Sequence, residues 1–419
     1  MNKGEHYEVK DIKLAEQGMK NIEWAESQMG ALLKVRERFE KEKPLKEIRI
    51  GMALHVTKET AALVKTLIAG GAKVAITGCN PLSTQDDVAA ALAKEGVNIW
   101  AYKGETKEDY YRYITNVIEF KPHITIDDGC DLVSEIHKKH TELIKDIICG
   151  CEETTTGVIR LRAMEKDSAL KYPMIAVNDL QTKHLFDNFL GTGQSTIDGI
   201  LRASSILLAG KNFVVCGYGN CGKGVALRAK GMGANVIVCE VDALRVLQAL
   251  TDGHRVMPIK EAANIGDVFV TVTGNKHVIT IEHMKLMKNG AILANSGHFD
   301  IEIDVQALKK IATQRRIRPF LDEYSLEGKK IYLCGEGRLV NLAAAEGHPS
   351  IVMAQSFCGQ ALAVEYGVKN KDKLKLGVIQ LPQDIDNKIA ELQLKALGIS
   401  FDKLTEQQKK YLESWEEGT

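Results

Sequence analysis

Short apolar runs alternate with amphipathic stretches along the first half of the chain. The pattern predicts strands at "IRIGMAL", which spans 48–54, and at "KVAITG", "VNIWAY" and "ITIDDG". It predicts helices between them at "KETAALVKTLIAGG" and "TQDDVAAALAKEG". Strands separated by helices are typical of a parallel sheet that has helices on both faces. We therefore expect a doubly wound α/β domain in the first half.

A second series of the same kind begins near Lys211. Its predicted strands are "NFVVCG", "NVIVCE", "VFVTVTG", "GAILANSG" and "KIYLCGEG". Polar clusters follow the strand ends in both halves, for example "HVTKET", "DDGCD", "TVTGN" and "NSGHFD". Open α/β sheets bind ligands beyond the carboxyl ends of their strands, so we expect these clusters to lie near ligands. The segment from Leu381 onward is charged and predicted to be helical.

The stretch "VVCGYGNCGKGVALRAKGMGANVIVCE", which starts at Val214, contains a dinucleotide-binding pattern. Gly217, Gly219 and Gly222 fit G-x-G-x-x-G, in which the glycines allow a tight turn, close approach of the pyrophosphate and close helix packing. Asn220 lies in the same turn. Glu240 ends the next predicted strand, where a carboxylate binds the ribose hydroxyls of NAD and repels the 2′-phosphate of NADP. A strand before, a helix after and an acid at this distance together indicate an NAD site.

These patterns predict an α/β fold class with two doubly wound parallel-sheet (Rossmann-like) domains and a small helical C-terminal tail. The 419 residues include 55 Lys and Arg and 55 Asp and Glu, so no basic excess points to nucleic acid or to an anionic membrane. No apolar run fits a signal peptide or a membrane helix. The nine scattered cysteines form no C-x-x-C pair, which favours free thiols in a reducing cytoplasm.

Several polar clusters in the first half allow both a functional and a structural interpretation. His55 follows a strand, but a lone histidine there is often a core residue with satisfied hydrogen bonds. "DDG" at 127–129 is either a site or an ordinary strand-to-helix turn. "CEETTTG" at 151–157 is either a binding loop or a helix start.

Lys183 and Asp187 allow the same two interpretations. They stand four residues apart, so they form either an exposed helix pair or an acid–base pair. His137 and His140 could suggest a metal, but no Glu or Cys stands at ligand spacing, so no metal is predicted.

Taken together, the motifs resemble one known family. "GMALHVTKET", "CNPLSTQDD", "DDGCDL", "EETTTG", "NDLQTKHLFDN", "GYGNCGKG", "NSGHFD" and "EGRLVNLAAAEGHPS" occur in the order seen in S-adenosylhomocysteine hydrolases. The resemblance covers nearly the whole chain and is strongest to the archaeal and thermophilic-bacterial branch, which also includes S-inosylhomocysteine hydrolases. It implies catalysis by bound NAD: 3′-oxidation of the ribose, removal of the C4′ proton, loss of homocysteine, addition of water and re-reduction.

The resemblance also implies site residues, residue by residue. The implied catalytic residues are His55, Asp128, Glu153, Lys183, Asp187, Asn188 and His298. The implied substrate contacts are Thr57, Glu59 and His348. The implied cofactor contacts are Thr154, Thr155, Thr156, Gly217, Gly219, Asn220, Gly222, Glu240, Asn295 and Asn341.

Two of these residues carry specific expectations. Lys183 resembles the lysine that, with Asp187, takes the 3′-hydroxyl proton, and we expect burial to lower its pKa. Glu59 matches a position that contacts the purine, where a carboxylate accepts a hydrogen bond from the 6-amino group of adenine and leaves the 6-oxo group of hypoxanthine unpaired. We therefore expect the adenosyl substrate, with the inosyl substrate as the alternative. An ordinary NAD-dependent dehydrogenase, or a regulatory relative that has lost activity, is a further alternative.

The resemblance extends to domains and assembly, with two departures. It implies a substrate domain at 1–180 with 350–380 returning to it, an NAD domain at 190–345, and a tail at 381–419 at the subunit contacts of a homotetramer. Thr192 stands where many members have a cysteine near the nicotinamide, although other members of this branch also have threonine. The chain also stops before the Lys/Tyr-containing tail of longer members, so we expect NAD affinity and exchange to differ.

Overall fold

The computed structural model describes residues 2–4 and 6–416, whose strands form two β-sheets. The strands are β1 (Asn2–Gly4), β2 (Tyr7–Val9), β3 (Arg49–Ala53), β4 (Lys73–Thr77), β5 (Asn98–Ala101), β6 (Ile124–Asp127), β7 (Cys149–Glu152), β8 (Met174–Ala176), β9 (Asn212–Cys216), β10 (Asn235–Cys239), β11 (Arg255–Val256), β12 (Val268–Thr271), β13 (Ala291–Asn295), β14 (Thr313–Arg318), β15 (Leu321–Leu326), β16 (Lys329–Cys334) and β17 (Val378–Ile379).

Helices connect these strands and cover both sheets. The α-helices are α1 (Ala15–Gln28), α2 (Gly30–Glu42), α3 (Lys58–Ala69), α4 (Asp86–Lys94), α5 (Lys107–Glu119), α6 (Asp131–Lys139), α7 (Thr155–Lys166), α8 (Gln181–Lys183), α9 (Thr192–Ser204), α10 (Asn220–Gly231), α11 (Ala243–Thr251), α12 (Ile259–Ile265), α13 (Ile281–Leu286), α14 (Val305–Ile311), α15 (Val340–Ala343), α16 (Ser350–Lys369), α17 (Gln383–Ala396) and α18 (Glu406–Leu412). A π-helical segment, His184–Gly191, joins α8 to α9.

The first sheet has the strand order β1-β2-β5-β4-β3-β6-β7-β8-β17. Its strands are parallel except for the antiparallel pair β1 and β2 at one edge. The chain moves outward in one direction from β3 to β4 and β5, and in the other from β6 to β7 and β8. Such a reversal of strand order opens a crevice at the carboxyl ends of the two central strands, here β3 and β6.

The second sheet has the order β11-β10-β9-β12-β13-β16-β15-β14, with its reversal between β9 and β12. Its parallel part is as predicted, but β16, β15 and β14 form an antiparallel edge. The hairpin between β15 and β16 turns at Glu327 (φ 49°) and Gly328 (φ 83°), and two successive positive φ angles match the tight turn that joins antiparallel strands. The α/β class with two doubly wound sheets is confirmed, and the antiparallel edges add to it.

Buried apolar side chains cover both faces of each sheet. One face of the first sheet packs with α1–α4 and α16, and the other with α5, α6 and α7. The second sheet is covered in the same way on its two faces. Because helices close both faces, the carboxyl ends of the strands are the places where polar side chains can meet a ligand.

The chain returns to the first sheet after completing the second. α16 packs against α2, α3 and α17, and β17 pairs with β8 in parallel. The predicted domain boundaries stay predictions, because the strand pairings show which strands belong to each sheet but not at which residue a domain begins or ends. The predicted helical tail corresponds to α17 and α18, and residues 417–419 lie outside the described residues. Within the described ranges, we find no helix with the length and apolarity to cross a bilayer.

Candidate active site

A cavity of about 1090 Å³ lies where the carboxyl ends of the two sheets face each other. It exceeds the range of about 300–1,000 Å³ that is usual for a single small ligand. Of the predicted site residues, those in its wall are His55, Thr57, Glu59, Asp128, Glu153, Thr154, Thr155, Thr156, Lys183, Asp187, Asn188, Gly217, Gly219, Asn220, Glu240, His298, Asn341 and His348. Gly222 and Asn295 are not in this wall.

Asp128 lies between two histidines at the crevice of the first sheet. Its Oδ2 is 3.5 Å from His55 Nε2, and its Oδ1 is 3.5 Å from His298 Nδ1. Burial lowers the pKa of His55 to about 4, although the charge of Asp128 opposes this, and burial also lowers the pKa of His298. Both imidazoles are therefore neutral at neutral pH, so each ring has one nitrogen that can accept a proton.

The turn after β6 brings His298 against the backbone. Gly129 has φ +109°, and a Cβ atom there would collide with the His298 ring. A glycine is required at this position both by its backbone conformation and by the contact. Asp127–Gly129 is therefore the strand-to-helix turn that the structural interpretation expected, and it also carries a cavity residue.

Lys183, Asp187 and Asn188 form a buried polar network around the π-helical segment. Lys183 Nζ donates to Asn188 Oδ1 at 2.6 Å and lies 3.5 Å from Asp187 Oδ1. It also donates to Asn178 Oδ1 at 3.4 Å. Both partners of the ion pair are about 5 % exposed, so the alternative of a solvent-exposed helix pair is wrong.

The expectation of a lowered lysine pKa is also wrong. Burial does lower the pKa of Lys183, but the charge of Asp187, joined by that of Glu153 once Glu153 ionises at alkaline pH, outweighs it, and the net pKa is raised. In Asp187, burial is opposed by Lys183 and His348, which hold the pKa well below its usual range. The ligand-free site therefore holds an ammonium–carboxylate pair, and Lys183 must lose a proton before it can act as a base.

Glu153 behaves differently from the other carboxyls of the cavity. Burial raises its pKa to about 8, with Lys183 opposing the shift. Its Oε2 accepts a hydrogen bond of 2.5 Å from Gln360 Nε2. At neutral pH Glu153 is a protonated carboxylic acid, which can donate a hydrogen bond to a ligand hydroxyl as well as accept one.

α16 supplies site residues that the sequence analysis missed. Gln360 contacts Glu153, Ser356 Oγ donates to Asp187 Oδ2 at 2.7 Å, and Ser350 Oγ donates to Glu59 Oε1 at 2.6 Å. Ser356 and Gln360 stand four residues apart on one face of a mostly buried helix. Polar residues at helical spacing in a buried helix were a usable signal for a site.

The purine-contact candidates are spread around one end of the cavity. Thr57 is the N-cap of α3, and its hydroxyl accepts a hydrogen bond from Thr60 N. Glu59 is buried, with Lys58 Nζ at 3.4 Å from its Oε1. His348 Nδ1 lies 3.1 Å from Asp187 Oδ1, and its Nε2 lies 3.3 Å from Thr192 Oγ1. His348, one of these purine candidates, therefore contacts the lysine network directly.

The glycine turn of the second sheet has the shape expected for a dinucleotide. Gly217 has φ +108°, and a Cβ atom there would come within 2.9 Å of Val272 O. Gly222 packs directly on the carbonyl of Gly217, which is the close helix approach expected of the third glycine. α10 starts at Asn220 with its N-terminal amides toward the turn.

Two carboxylates support the loops around this turn. Glu240 accepts hydrogen bonds from Tyr218 N at 2.7 Å, Val241 N at 2.7 Å and Asp242 N at 3.1 Å. Glu302, which is buried, holds the loop after β12 through Thr273 and Gly274. A residue at the end of β10 and one before α14 thus shape the two loops at the crevice of the second sheet.

Of the remaining cofactor candidates, Thr155 and Asn341 line the cavity, whereas Asn295 lies outside its wall. Thr155 Oγ1 donates to Asn178 Oδ1 at 3.2 Å, and α7 begins at this residue, so "EETTTG" is both a helix start and part of the cavity wall. Asn341 Nδ2 donates to Ser195 Oγ at 3.2 Å. Asn295 is fully buried and bonds to Gly297, Phe299 and Gly337, which makes it a support of the loop that carries His298.

One set of side chains has the spacing to hold a metal. Among the described residues, His55, Asp128 and His298 offer ligand atoms that lie within 4.8 Å of one another. His137 and His140 do not form such a set, since His137 Nδ1 bonds to Val133 O and its Nε2 accepts from Lys171 N. All nine cysteines have free thiols, and only Cys221 is not fully buried.

Protein-family models match both sheets of the chain. Residues 6–147 match the model for "S-adenosyl-L-homocysteine hydrolase", and residues 188–347 match "S-adenosyl-L-homocysteine hydrolase, NAD binding domain". The chain is 59 % identical to the adenosylhomocysteinases of Saccharolobus solfataricus and Aquifex aeolicus, and 58 % identical to the S-inosyl-L-homocysteine hydrolase of Methanocaldococcus jannaschii. Each alignment covers 99 % of this chain and 100 % of the relative, so the similarity includes both halves of the cavity.

Proposed function

Because this chain belongs to the S-adenosyl-L-homocysteine hydrolase family, we propose that it hydrolyses S-adenosyl-L-homocysteine reversibly to adenosine and L-homocysteine with NAD as its cofactor. The observation that carries the proposal is the shared cavity: the glycine turn and the acid–base side chains line one space between the sheets. Gly217 allows the left-handed turn, because a Cβ atom there would come within 2.9 Å of Val272 O, and Glu240 lies in the cavity wall, where its carboxylate can bind a ribose. Bound NAD supplies the hydride acceptor for oxidation of the ribose 3′-hydroxyl and the donor for its later reduction.

Two groups of residues carry out the proton transfers in this scheme, one at the 3′-oxygen and one at C4′ and the sulfur. Lys183, Asp187 and Asn188 hold the 3′-oxygen, and Lys183 exchanges a proton with it once its ammonium has lost one. Asp128 removes the C4′ proton, which the adjacent 3′-ketone acidifies. Neutral His55 and His298 then exchange protons with the leaving sulfur and the incoming water, because a neutral imidazole can both give and take a proton.

Glu153 acts on the ribose as a neutral acid in this scheme. Its raised pKa keeps a proton on the carboxyl near neutrality, so it donates a hydrogen bond to a ribose hydroxyl without adding a third negative charge beside Asp128 and Asp187. Thr154, Thr155, Thr156, Asn220 and Asn341 line the cofactor part of the cavity.

The adenosyl substrate is favoured by the anchoring of Glu59. The Ser350 hydroxyl and the Lys58 ammonium both face Glu59 Oε1 and hold the carboxylate in place. An anchored carboxylate accepts a hydrogen bond from an amino group and repels an oxo group. S-inosyl-L-homocysteine is the second candidate, because a relative with that name is 58 % identical over 414 residues.

The direct test is release of the homocysteine thiol from each nucleoside by the purified, NAD-loaded protein. We expect faster release from the adenosyl compound and no net accumulation of reduced cofactor. Release from neither compound would contradict the hydrolase assignment, and stoichiometric reduction of added NAD would indicate an ordinary dehydrogenase. Faster release from the inosyl compound would reverse the substrate preference.

Glu59→Gln should weaken discrimination between the two purines. An amide can donate to an oxo group as well as accept from an amino group, so the ratio of kcat/KM for the adenosyl over the inosyl substrate should fall by about tenfold or more. Glu95→Gln, which alters an exposed ion pair with Lys65, is the control and should leave the ratio unchanged. An unchanged ratio in Glu59→Gln would exclude Glu59 as the purine-reading group.

Glu240→Ala should weaken NAD binding, as measured by equilibrium titration of the cofactor-free protein. A hydrogen bond to a carboxylate contributes about 1.5–3 kcal/mol, so the Kd should rise by roughly tenfold or more. The substitution also removes support from Tyr218 and Asp242, whereas Glu240→Gln keeps an acceptor oxygen for this loop. If Glu240→Gln still rejects NADP as strongly as the wild type, the carboxylate charge is not the source of the preference.

We further propose a homotetramer in the cytoplasm. The C-terminal segment exposes large apolar side chains, including Phe401, Tyr411, Leu412 and Trp415, a pattern that suits a subunit contact. Nine free thiols suit a reducing compartment. Light scattering of the purified protein tests the assembly, and a monomeric mass would contradict it.

A further inference from the structure

Two buried carboxyls lie directly behind the catalytic candidates. Asp127 ends β6 and precedes Asp128, and Glu152 ends β7 and precedes Glu153. Asp127 and Glu152 are paired residues in the parallel register of these neighbouring strands, and both are completely buried. In a parallel pair, side chains at matched positions point to the same face of the sheet, so the two carboxyl groups are neighbours.

Each carboxyl uses one oxygen to hold the backbone of a loop. Asp127 Oδ2 accepts from Val133 N at 2.9 Å, in the first turn of α6. Glu152 Oε1 accepts from Gly129 N at 2.9 Å and from Thr154 N at 3.1 Å. Glu152 therefore joins the loop that carries Asp128 to the loop that carries Glu153.

The other oxygen of each carboxyl lacks a hydrogen-bond partner. Among the described residues, Asp127 Oδ1 and Glu152 Oε2 are buried and accept no hydrogen bond. Gly157 of α7 packs so closely on the Glu152 carboxyl that a Cβ atom would collide with it. The nearby cation Arg160 is engaged by Gly129 O, Asp131 and Ser134. Two adjacent ionised carboxylates whose second oxygens have neither a cation nor a donor would be very costly in such an environment.

We propose that Asp127 and Glu152 share a single proton between Asp127 Oδ1 and Glu152 Oε2, and that this carboxyl pair positions Asp128 and Glu153 for catalysis. A shared proton satisfies both free oxygens at once and leaves one negative charge, which the backbone N–H groups of the two loops stabilise. Both residues are positioning residues, since they act through the loops and do not line the cavity.

The electrostatics of the two groups agree with this arrangement. Burial raises the pKa of Asp127, and burial together with the charge of Asp127 raises the pKa of Glu152. The titratable and charged groups that act on the pair or respond to it are Asp128, Asp131, Arg160, Cys79, Cys130, Cys151, Tyr110 and Tyr172. Arg160 is the only cation in this set, and it acts against the upward shift of Asp127.

Infrared difference spectroscopy tests the shared proton without any reference to activity. Just above neutral pH, where the raised pKa of Asp127 of about 7 leaves one proton on the pair, Asp127→Asn and Glu152→Gln should each remove the same carboxylic-acid carbonyl band. The double variant should remove nothing more. Loss of two separate bands in the double variant would show two independent protons, and loss of none would show two carboxylates. Either result overturns the proposal. Glu105→Gln is the control, because Glu105 is buried with a pKa of about 8 and should remove a band of its own.

The positioning role rests on the proposed function and has a separate kinetic test. A displaced catalytic group costs up to about 100-fold in rate, so Glu152→Ala should lower kcat by roughly that factor with little change in KM. Glu152→Gln keeps the acceptor for Gly129 and Thr154 and should recover most of kcat. If the shared proton is needed for positioning, we expect the wild-type kcat to fall at alkaline pH as that proton is released, and we expect Glu152→Gln to lose this fall. Equal kcat in both variants would exclude positioning, while the infrared result would stand independently.

Discussion

Replacing Lys183 with alanine or methionine is expected to abolish the absorbance of reduced nicotinamide that adenosine induces in the NAD-loaded enzyme. Among the residues that the structure describes, Lys183 Nζ is the one cation that contacts both Asp187 and Asn188, at the point where we place the 3′-oxygen. Without it, the 3′-hydroxyl loses its proposed proton-exchange partner. Removing a general acid–base group typically costs about 10²–10⁴-fold, so turnover should fall by at least the lower figure.

The measurement must separate lost chemistry from lost structure. Removing one partner of a buried ion pair costs about 3–5 kcal/mol, and Asp187 would keep only His348 and Ser356 as partners. The double variant Lys183→Met with Asp187→Asn leaves no unpaired charge and should recover much of the stability in thermal unfolding but none of the turnover. NAD content should match the wild type in all three variants. A normal rise of the nicotinamide absorbance in Lys183→Met would remove Lys183 from the oxidation step.

The raised pKa of Lys183 also sets the direction of the pH dependence. Its ammonium form is favoured in the folded protein, because the carboxylates outweigh burial. The ion pair with Asp187 therefore contributes stability at neutral pH, and that contribution is lost as the pH rises through the raised pKa of the lysine. Oxidation needs the opposite form, so its rate should increase with pH until Lys183 has lost its proton. In Lys183→Met this alkaline increase should be absent.

Strand ends were the part of the site that sequence patterns predicted well. His55 follows β3 and Asp128 follows β6, and the reversal of strand order between these strands brings the two within 3.5 Å. The glycine turn after β9 was visible for the same reason, since its residue types are imposed by backbone geometry at one local position. Local residue types and one topological rule predicted polar clusters near a ligand at these strand ends, whereas the choice of His55 and Asp128 as site residues came from the family resemblance.

The features that were missed depend on contacts between distant segments. Gln360 and Ser356 reach Glu153 and Asp187 across 207 and 169 positions of sequence, so no local pattern joins them. The pKa of Lys183 was predicted in the wrong direction because burial was considered alone, whereas two carboxylates converge on the lysine in the fold. Asn295 was predicted as a cofactor contact and that role stays a prediction, but the residue is outside the cavity wall. Its side-chain amide hydrogen-bonds to Thr271, to Gly337 and to the loop that carries His298.

Asp128→Asn is expected to stop the reaction after oxidation, the opposite pattern to that of the Lys183 variants. Adenosine should still raise the nicotinamide absorbance, because Lys183 keeps its contacts with Asp187 and Asn188. Solvent deuterium should no longer enter C4′, and homocysteine release should fall by about 10²–10⁴-fold, the usual cost of losing a general base. The asparagine is nearly isosteric. Losing the charge of Asp128 also removes a contribution that raises the pKa of His55, so this histidine stays neutral, and the lost activity is due to the missing carboxylate.

Asp109→Asn, at a surface ion pair with Arg112, is the control and should exchange deuterium at the wild-type rate. Undiminished exchange in Asp128→Asn would assign the C4′ proton to another group, and His55 and His298, each 3.5 Å from Asp128, are the neutral bases that remain.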